Sequence, residues 1–514
     1  MFERIRPDQT AELAQLANLT LDERERVEFH TLFEFIGDIV DGLVALPEPP
    51  ARPAAPGHRD PGRRPAAGED PLNAIVRWCN VRQDGAAGLL DGVRIGVKDS
   101  IGVAGVPLTA GSDALSYVPA EDAEVVRRIL AAGAEIVAVL NMDYFAFSGG
   151  GDTSAYGPTL CPFDPSRTAA GSSGGSGAAL WYDGIDMTLG CDQGGSIRLP
   201  AAWCGVLGLK PTYGLLPYTG ILGLDNPIDH VGPMTRTTGD MARLLQVMAG
   251  RDGVDHRQPA AVPVQDYLAA VREPGRLDGV RLAVVREGMG EEMGVEPAVA
   301  AAVREACDRL AGLGAEIVEV SIPEHLSSGP LAVAGFIEGM TALLAGGGNG
   351  HHHRGVYDTV AAQAVGEALR ERADRFSNQV KLTLMFGTYM QRRYAGTLYG
   401  KAHNLHAWLR GAYDRELASA DALVMPAAAH LPHAVDPSLS ISARVMRGWS
   451  HLGNTAATNF TGHPALSIPA AASGGLPVGV MLLGRRWDDA GLLRIASAYE
   501  AAHGWLPAFP GLPG

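Results

Sequence analysis

A glycine pair followed by a serine, at Gly194–Ser196, has the residue types that acyl-transfer chemistry needs. Glycines carry no Cβ, so a substrate carbonyl can approach their backbone closely. The triplet follows a short predicted strand, Asp186–Leu189, and precedes a short predicted helix that starts near Pro200 and ends at Gly205. Backbone N–H groups at such a helix start favour developing negative charge, and a serine there is placed as a nucleophile. Taken alone, the triplet is better interpreted as a plain strand-to-helix turn, and the case for a nucleophile needs further residues.

A nucleophilic serine needs a base, and Lys98 is the best candidate. Lys98 ends the predicted strand Val93–Val97, where burial would lower its pKa towards neutrality. Arginine cannot lose its proton in a protein, so a retained lysine can be a base where arginine cannot. His230 is the one histidine in a comparable context, and Lys210 is interpreted as a structural charge beside a carbonyl or carboxylate. Only four of the 42 lysine and arginine residues are lysine: Lys98, Lys210, Lys381 and Lys401.

A second loop rich in glycine and serine, Gly171–Gly177, precedes this strand. A phosphate-binding P-loop would end in Gly-Lys-Ser/Thr, and no lysine lies between Lys98 and Lys210. Nucleotide phosphate binding of that kind is therefore excluded.

The elements that must position these residues alternate between strand and helix. Such alternation is typical of parallel strands joined by helical crossovers. We therefore expect an α/β fold with one large domain, whose central sheet is mostly parallel and covered by helices on both faces. The two predicted strand–helix–strand units are Val93–Val97, Ala123–Ala132 and Glu135–Leu140, and then Val280–Val285, Val295–Leu313 and Glu316–Val320.

Three regions differ from this pattern in composition. Apolar residues at helical spacing predict an N-terminal helical segment over residues 1–46. A run rich in Pro, Ala, Gly and Arg predicts a surface linker over residues 47–69, so that the main domain covers residues 70–514. A helical insert is expected at about residues 325–400. The N-terminal helices are expected either to cover part of the core or to form a homodimer interface.

Composition narrows the setting and the partners. The net charge of −15 argues against nucleic-acid binding, which needs a basic surface. Five scattered cysteines without a CxxC pair indicate no disulfide framework and no zinc site. No signal sequence and no uninterrupted apolar run of about 20 residues is apparent, so we expect a cytoplasmic protein without a membrane partner. Adjacent side chains in the His351–His353 run point in different directions, so we expect no metal there and leave its role open.

Four separated motifs together resemble the amidase signature family, over about residues 70 to 500. They are GVKD (Gly96–Asp99), GSSGGS (Gly171–Ser176), DQGGSIRLPAAWCGVLGLKPT (Asp192–Thr212) and TGHPALSIP (Thr461–Pro469). The wording DQGGSIR is most similar to bacterial amidases often associated with nitrile degradation. The main domain is therefore interpreted as an amidase-signature catalytic domain.

The resemblance implies a Ser–cis-Ser–Lys triad. In it Ser196 would be the nucleophile, Ser172 the bridging serine beside a cis peptide bond, and Lys98 the base. The backbone N–H groups of Gln193, Gly194, Gly195 and Ser196 would form an oxyanion hole. The resemblance implies neither a cofactor nor a metal.

The implied activity is hydrolysis of a small carboxamide through an acyl-enzyme at Ser196, with release of ammonia or an amine. The alternative is transfer of the acyl group or the ammonia to another acceptor. Gln193 argues against the chain being the A subunit of a tRNA-dependent amidotransferase, because those subunits usually have the sequence DTGGS at this position. An inactive scaffold is disfavoured because all three triad residues are present.

The substrate itself is not apparent from the sequence. In the family the pocket is shaped by variable segments, here Asn141–Gly151, residues 325–400 and Met425–His433. Within the first, an apolar acyl pocket or plain core packing would suit the side chains equally well. The residues in question are Phe145, Ala146, Phe147 and Gly149.

Overall fold

The computed structural model describes residues 2–49 and 52–512. By its internal contacts the chain divides into two compact units, Met1–Pro53 and Ala54–Gly514.

Fourteen strands are formed by the described residues, and the predicted ones are found within a few positions of their expected bounds. They are β1 Arg59–Arg63, β2 Ile75–Val81, β3 Arg94–Lys98, β4 Glu135–Leu140, β5 Leu160–Cys161, β6 Asp164–Thr168, β7 Met187–Asp192, β8 Leu207–Lys210, β9 His230–Thr235, β10 Arg281–Val285, β11 Glu316–Val320, β12 Ala422–Pro426, β13 Ala465–Ser473 and β14 Leu476–Gly484.

Fifteen α-helices are formed by the same residues. They are α1 Pro7–Leu16, α2 Glu23–Val44, α3 Glu124–Ala131, α4 Gly174–Ala178, α5 Arg198–Cys204, α6 Thr238–Met248, α7 Tyr267–Arg272, α8 Pro297–Gly312, α9 Ser328–Ala345, α10 Thr359–Glu371, α11 Asn378–Tyr394, α12 Thr397–Leu417, α13 Ile441–Trp449, α14 Gly453–Thr461 and α15 Asp489–His503.

Twelve of the strands form one sheet in the order β1-β2-β4-β3-β7-β9-β8-β13-β14-β12-β10-β11. The α/β class is confirmed, but the expectation of a mostly parallel sheet is wrong. Only four neighbouring pairs are parallel, β4–β3, β3–β7, β12–β10 and β10–β11, and these include both predicted strand–helix–strand units. The other seven neighbouring pairs are antiparallel, and most of them join strands that are distant in the sequence. The turn between β13 and β14, by contrast, is Gly474–Gly475, with both residues at positive φ.

The smaller unit contains the predicted N-terminal helices, α1 and α2. In the larger unit, Arg59–Arg63 forms the edge strand β1, although the sequence placed these residues in a linker. The reason is that an edge strand needs ladder hydrogen bonds rather than apolar side chains, and it tolerates Pro61 and Gly62.

Helix α9, with the turn before it, is long and apolar enough to cross a membrane by length and composition alone. The segment Pro323–Ala345 contains an 18-residue window with a mean hydropathy of 1.3, and 61% of that window is buried inside the structure. It packs against α11, α12 and α14. A core helix of a globular enzyme has these same properties.

Helix α5, which follows the Gly194–Ser196 triplet, is completely buried and packs against β8, β13 and β14. It ends at Gly205, as expected, with φ at 64°. Its approach to the sheet is close because Gly479 of β14 has no side chain. A Cβ at that position would lie 2.4 Å from the Cβ of Ala202.

We predict that Gly479→Ala lowers the free energy of unfolding by about 1–3 kcal/mol, because α5 must shift away from the sheet. Gly411→Ala in α12 is the matched control, since a Cβ there meets no atom within 4 Å. That control should be neutral or stabilising by about 0.5–1 kcal/mol. Urea unfolding measures both, and equal stability of the two variants would contradict the packing argument.

Candidate active site

Lys98 is the last residue of β3 and its side chain is completely buried. Its Nζ donates to Ser172 Oγ at 2.7 Å and to the carbonyl oxygen of Cys191 at 3.4 Å. Both of these partners are neutral. Burial lowers the pKa of Lys98 to about 8, against the opposing effect of more distant acidic groups. About a tenth of the amine is therefore uncharged at pH 7, far more than for an exposed lysine.

Two of those acidic groups, Asp143 and Asp229, are buried carboxyls whose pKa values are raised. Burial raises the pKa of Asp143 to about 6 and that of Asp229 to about 7. Both carboxyls are largely ionised at pH 8, where Lys98 titrates, so they raise the pKa of Lys98, and the effect of burial on the amine outweighs them.

Ser172 lies in the predicted loop, and the Gly171–Ser172 peptide bond is cis. The backbone on both sides of Ser172 is fixed by hydrogen bonds. The N–H of Asp143 donates to Ser172 O at 3.1 Å, and the N–H of Ser173 donates to Ser196 O at 3.2 Å. The second bond joins the serine-rich loop directly to the Gly194–Ser196 triplet, so the three predicted triad residues belong to one connected cluster.

The Gly194–Ser196 loop is organised by Asp192, the last residue of β7. One oxygen of this carboxylate accepts the N–H of Gly195 at 2.7 Å, and the other accepts the N–H of Ile197 at 3.0 Å. Arg198 donates to both oxygens, at 3.0 and 2.8 Å, and both side chains are completely buried. Burial alone would raise the pKa of Asp192, but the Arg198 guanidinium outweighs it and holds that pKa well below its usual range.

This arrangement corrects the expected oxyanion hole. The N–H of Gly195 is bound to Asp192, so it is not directed at a substrate. The sequence could not reveal this, because the competing acceptor is a carboxylate whose orientation depends on Arg198. Gly195 is still required for space: its φ is 140°, and a Cβ there would lie 2.4 Å from Thr455 Oγ1. Gln193, Gly194 and Ser196 remain as candidate donors.

Helix α14 supplies polar residues that the sequence analysis missed. Asn459 Nδ2 donates to the carbonyl oxygen of Asp192 at 2.8 Å, and Asn459 Oδ1 accepts from Arg198 at 2.8 Å. Arg198 also donates to Thr458 Oγ1 at 2.7 Å. All three polar groups are buried behind the loop. The signal in the sequence was a run of Asn and Thr in NTAATNFT, immediately before the recognised motif TGHPALSIP.

Lys210 has the carbonyl partner expected of a structural residue. Its Nζ donates to Pro211 O at 3.1 Å and contacts His230 Nε2 at 3.3 Å. Burial lowers the pKa of Lys210 well below its usual value. His230 is held by Ile228 O at 2.7 Å. The His351–His353 run lies between α9 and α10, where His353 stacks on Tyr357.

A cavity opens beside Ser196. The segment Asn141–Gly151 lines the cavity through Ala146, Phe147 and Gly149, as expected. The helical insert at residues 325–400 lines it through Phe336 and other residues of α9 and α11. Trp449 and Leu452, near the end of α13, take the place expected for Met425–His433. Most of the wall is therefore apolar, which suits the hydrocarbon part of a small ligand.

Phe145 does not line this cavity. Its ring packs edge-on against Tyr144 and Phe376, at 5.2 and 5.5 Å between ring centres. It borders a second, smaller cavity, which shares Ala146, Gln193 and Leu224 with the first. Core packing, the alternative left open by the sequence, thus describes most of its contacts.

The model of the amidase family matches residues 75–493. The chain belongs to the amidase family, and it is an enzyme of that family that acts on the carbon–nitrogen bonds of amides. It is 38% identical over 481 residues to an enantioselective amidase of Rhodococcus rhodochrous, covering 90% of this chain and 88% of that one. It is 36% identical over 438 residues to the A subunit of glutamyl-tRNA(Gln) amidotransferase from Synechococcus sp. (strain RCC307), covering 84% and 87% of the two chains.

A similar solved structure is that of the A subunit of glutamyl-tRNA(Gln) amidotransferase from Thermotoga maritima. Its TM-score is 0.69 at 28% identity, with 86% of this chain and 91% of that chain covered. A crystal structure of an amidase gives a TM-score of 0.67 at 26% identity, with 84% and 92% covered. The resemblance stated from the motifs is confirmed.

We predict that Asp192→Asn lowers the free energy of unfolding by about 3–5 kcal/mol, because it leaves the Arg198 guanidinium buried without its counter-ion. The control is Asp278→Asn, which removes an exposed ion pair with Arg276 and should cost less than about 1 kcal/mol. Denaturant unfolding monitored by tryptophan fluorescence measures the difference. If the two variants unfold at the same urea concentration, the buried pair does not hold the loop.

Proposed function

We propose that this enzyme hydrolyses small carboxamides through an acyl-enzyme at Ser196, with Ser172 as proton relay and Lys98 as base. The observation that carries the proposal is the buried amine of Lys98, which contacts only neutral oxygens and donates to Ser172 at 2.7 Å. A lysine must be uncharged to accept a proton, and this environment favours the uncharged form.

The proposed reaction begins when neutral Lys98 accepts a proton from Ser172 while Ser172 accepts one from Ser196. Ser196 Oγ then attacks the amide carbon, and the resulting oxyanion accepts hydrogen bonds from backbone N–H groups of Gln193, Gly194 and Ser196. The carbon–nitrogen bond breaks as the nitrogen receives the proton back through Ser172. Water then attacks the acyl-enzyme, which releases the carboxylic acid and restores Ser196.

The apolar wall formed by Phe147, Phe336 and Trp449 supports a substrate whose acyl group is a small aliphatic or aryl group. The proposed hydrolysis of such a substrate needs no cofactor. All five cysteines are free and buried, which supports the expected cytoplasmic setting.

Transfer to another acceptor is the second candidate, and the relatives named as the A subunit of an amidotransferase favour it. Ammonia release from a panel of aliphatic, aryl and peptide amides tests hydrolysis, with Ser196→Ala as the inactive control. Adding hydroxylamine to the same reactions distinguishes the two candidates. A hydrolase forms mainly acid at modest hydroxylamine concentration, whereas a transferase forms mainly hydroxamate.

We predict that kcat/KM rises about tenfold per pH unit below the Lys98 pKa and levels off above about pH 8 to 9, because only the neutral amine accepts a proton. Lys98→Arg keeps the charge but cannot lose its proton, so it should be as inactive as Lys98→Met. Initial rates in buffers from pH 6 to 9 measure the profile. A flat profile, or an active Lys98→Arg variant, would exclude Lys98 as the base.

We further propose that α2 forms a homodimer interface. Four apolar residues of α2 follow a four-three-four spacing, as in the seam of a coiled coil, and are 51–68% exposed. They are Leu32, Ile36, Ile39 and Leu43. Exposed apolar faces of this kind are typical of association surfaces.

We predict that the wild-type protein sediments at twice its chain mass of 53.9 kDa, and that Ile36→Asp combined with Ile39→Asp gives the single-chain mass. Glu28→Gln, on an exposed charged position of the same helix, should leave the mass unchanged. A wild-type protein of single-chain mass at micromolar concentration would refute the interface.

A further inference from the structure

The side chain of Gln193 occupies a special position in the site. It lies between Asp192 and Gly194, three residues before Ser196, and it forms part of the wall shared by the two cavities. The residue is only 5% exposed. Most other side chains around it are apolar, so its carboxamide is a polar group set into an apolar wall.

The orientation of this carboxamide is set by Tyr218. Gln193 Nε2 donates to the Tyr218 hydroxyl at 3.0 Å. Tyr218 is itself firmly held: its N–H donates to Asp255 at 2.8 Å, and the Arg257 guanidinium lies 4.5 Å from its ring centre. Because Nε2 is bound to Tyr218, the side-chain oxygen Oε1 is the remaining polar atom of the Gln193 carboxamide.

That oxygen, Gln193 Oε1, is buried and accepts no hydrogen bond from any residue in the described part of the chain. A buried acceptor without a partner costs about 1–3 kcal/mol, so native proteins rarely keep one without a use. An amide substrate bound at Ser196 brings an N–H donor into this cavity.

We propose that Gln193 Oε1 accepts a hydrogen bond from the N–H of the scissile amide, so that the site selects amides bearing an N–H over esters and N,N-disubstituted amides. This inference rests on the proposed function, because it takes Ser196 as the nucleophile. The bond would fix the leaving nitrogen so that its lone pair faces Ser172, which returns the proton as the carbon–nitrogen bond breaks. Gln193 itself gains and loses no proton.

The test replaces Gln193 by Met, which has nearly the same length but no strong acceptor. The probes are benzamide, methyl benzoate and N,N-dimethylbenzamide, which share one acyl group and differ in the N–H. We expect Gln193→Met to lower the ratio of kcat/KM for benzamide over methyl benzoate by about ten- to a hundredfold. Tyr218→Phe, which frees the carboxamide to rotate, should lower the same ratio by a smaller factor.

A second measurement does not depend on turnover. In the Ser196→Ala background, calorimetric titration should show benzamide binding more tightly than N,N-dimethylbenzamide, and the added Gln193→Met change should remove that preference. Thermal unfolding of each variant confirms that it is folded.

Two outcomes would overturn the inference. If Gln193→Met lowers the activity on amide and ester equally, the side chain acts on the carbonyl that both substrates share, or merely supports the loop. If neither the ratio nor the binding preference changes, Oε1 has no substrate partner. Failure of the proposed function itself is distinguishable, because Ser196→Ala would then retain hydrolysis of both benzamide and methyl benzoate.

Discussion

The structure around the active site depends on one constraint: the amine of Lys98 must lie in a closed interior without a carboxylate partner. A neighbouring carboxylate would hold the proton on the amine, and the group could then donate but not accept. One of the acidic groups that act on Lys98, Asp192, is engaged by another partner. Asp192, at the end of the neighbouring strand, is bound by both nitrogens of the Arg198 fork. The ion pair therefore holds the Gly194–Ser196 loop, and Asp192 raises the pKa of Lys98 only through its charge and not as a hydrogen-bond partner.

The sheet explains why these groups meet. β3 and β7 are parallel neighbours, with Val97 opposite Leu189, so their carboxyl ends reach the same edge. Lys98 terminates one of these strands and Asp192 the other. Although most pairs in the sheet are antiparallel, the pair that carries the site is parallel, and active sites of α/β proteins lie at such carboxyl ends. The antiparallel strands β8, β13 and β14 instead form the surface on which α5 rests.

The cavity combines an apolar wall with very few polar groups. Phe336 comes from α9 and Trp449 from α13, whereas Gln193 belongs to the same loop as Ser196. Such a division separates two tasks. The apolar segments determine which acyl groups fit, and the loop determines how the reacting atoms are oriented.

Residue types and local spacing were enough to identify the family, the α/β class and the candidate triad, because these are written in short motifs and in strand–helix alternation. The sequence could not predict the mixed sheet, since strand direction depends on how distant segments pair. It could not show that the N–H of Gly195 turns towards Asp192, or that Asn459, 267 residues further along the chain, closes the network behind it. The burial of Lys98 and its neutral hydrogen-bond partners were likewise decided only by the tertiary structure, because a pKa depends on what the folded chain places around the group.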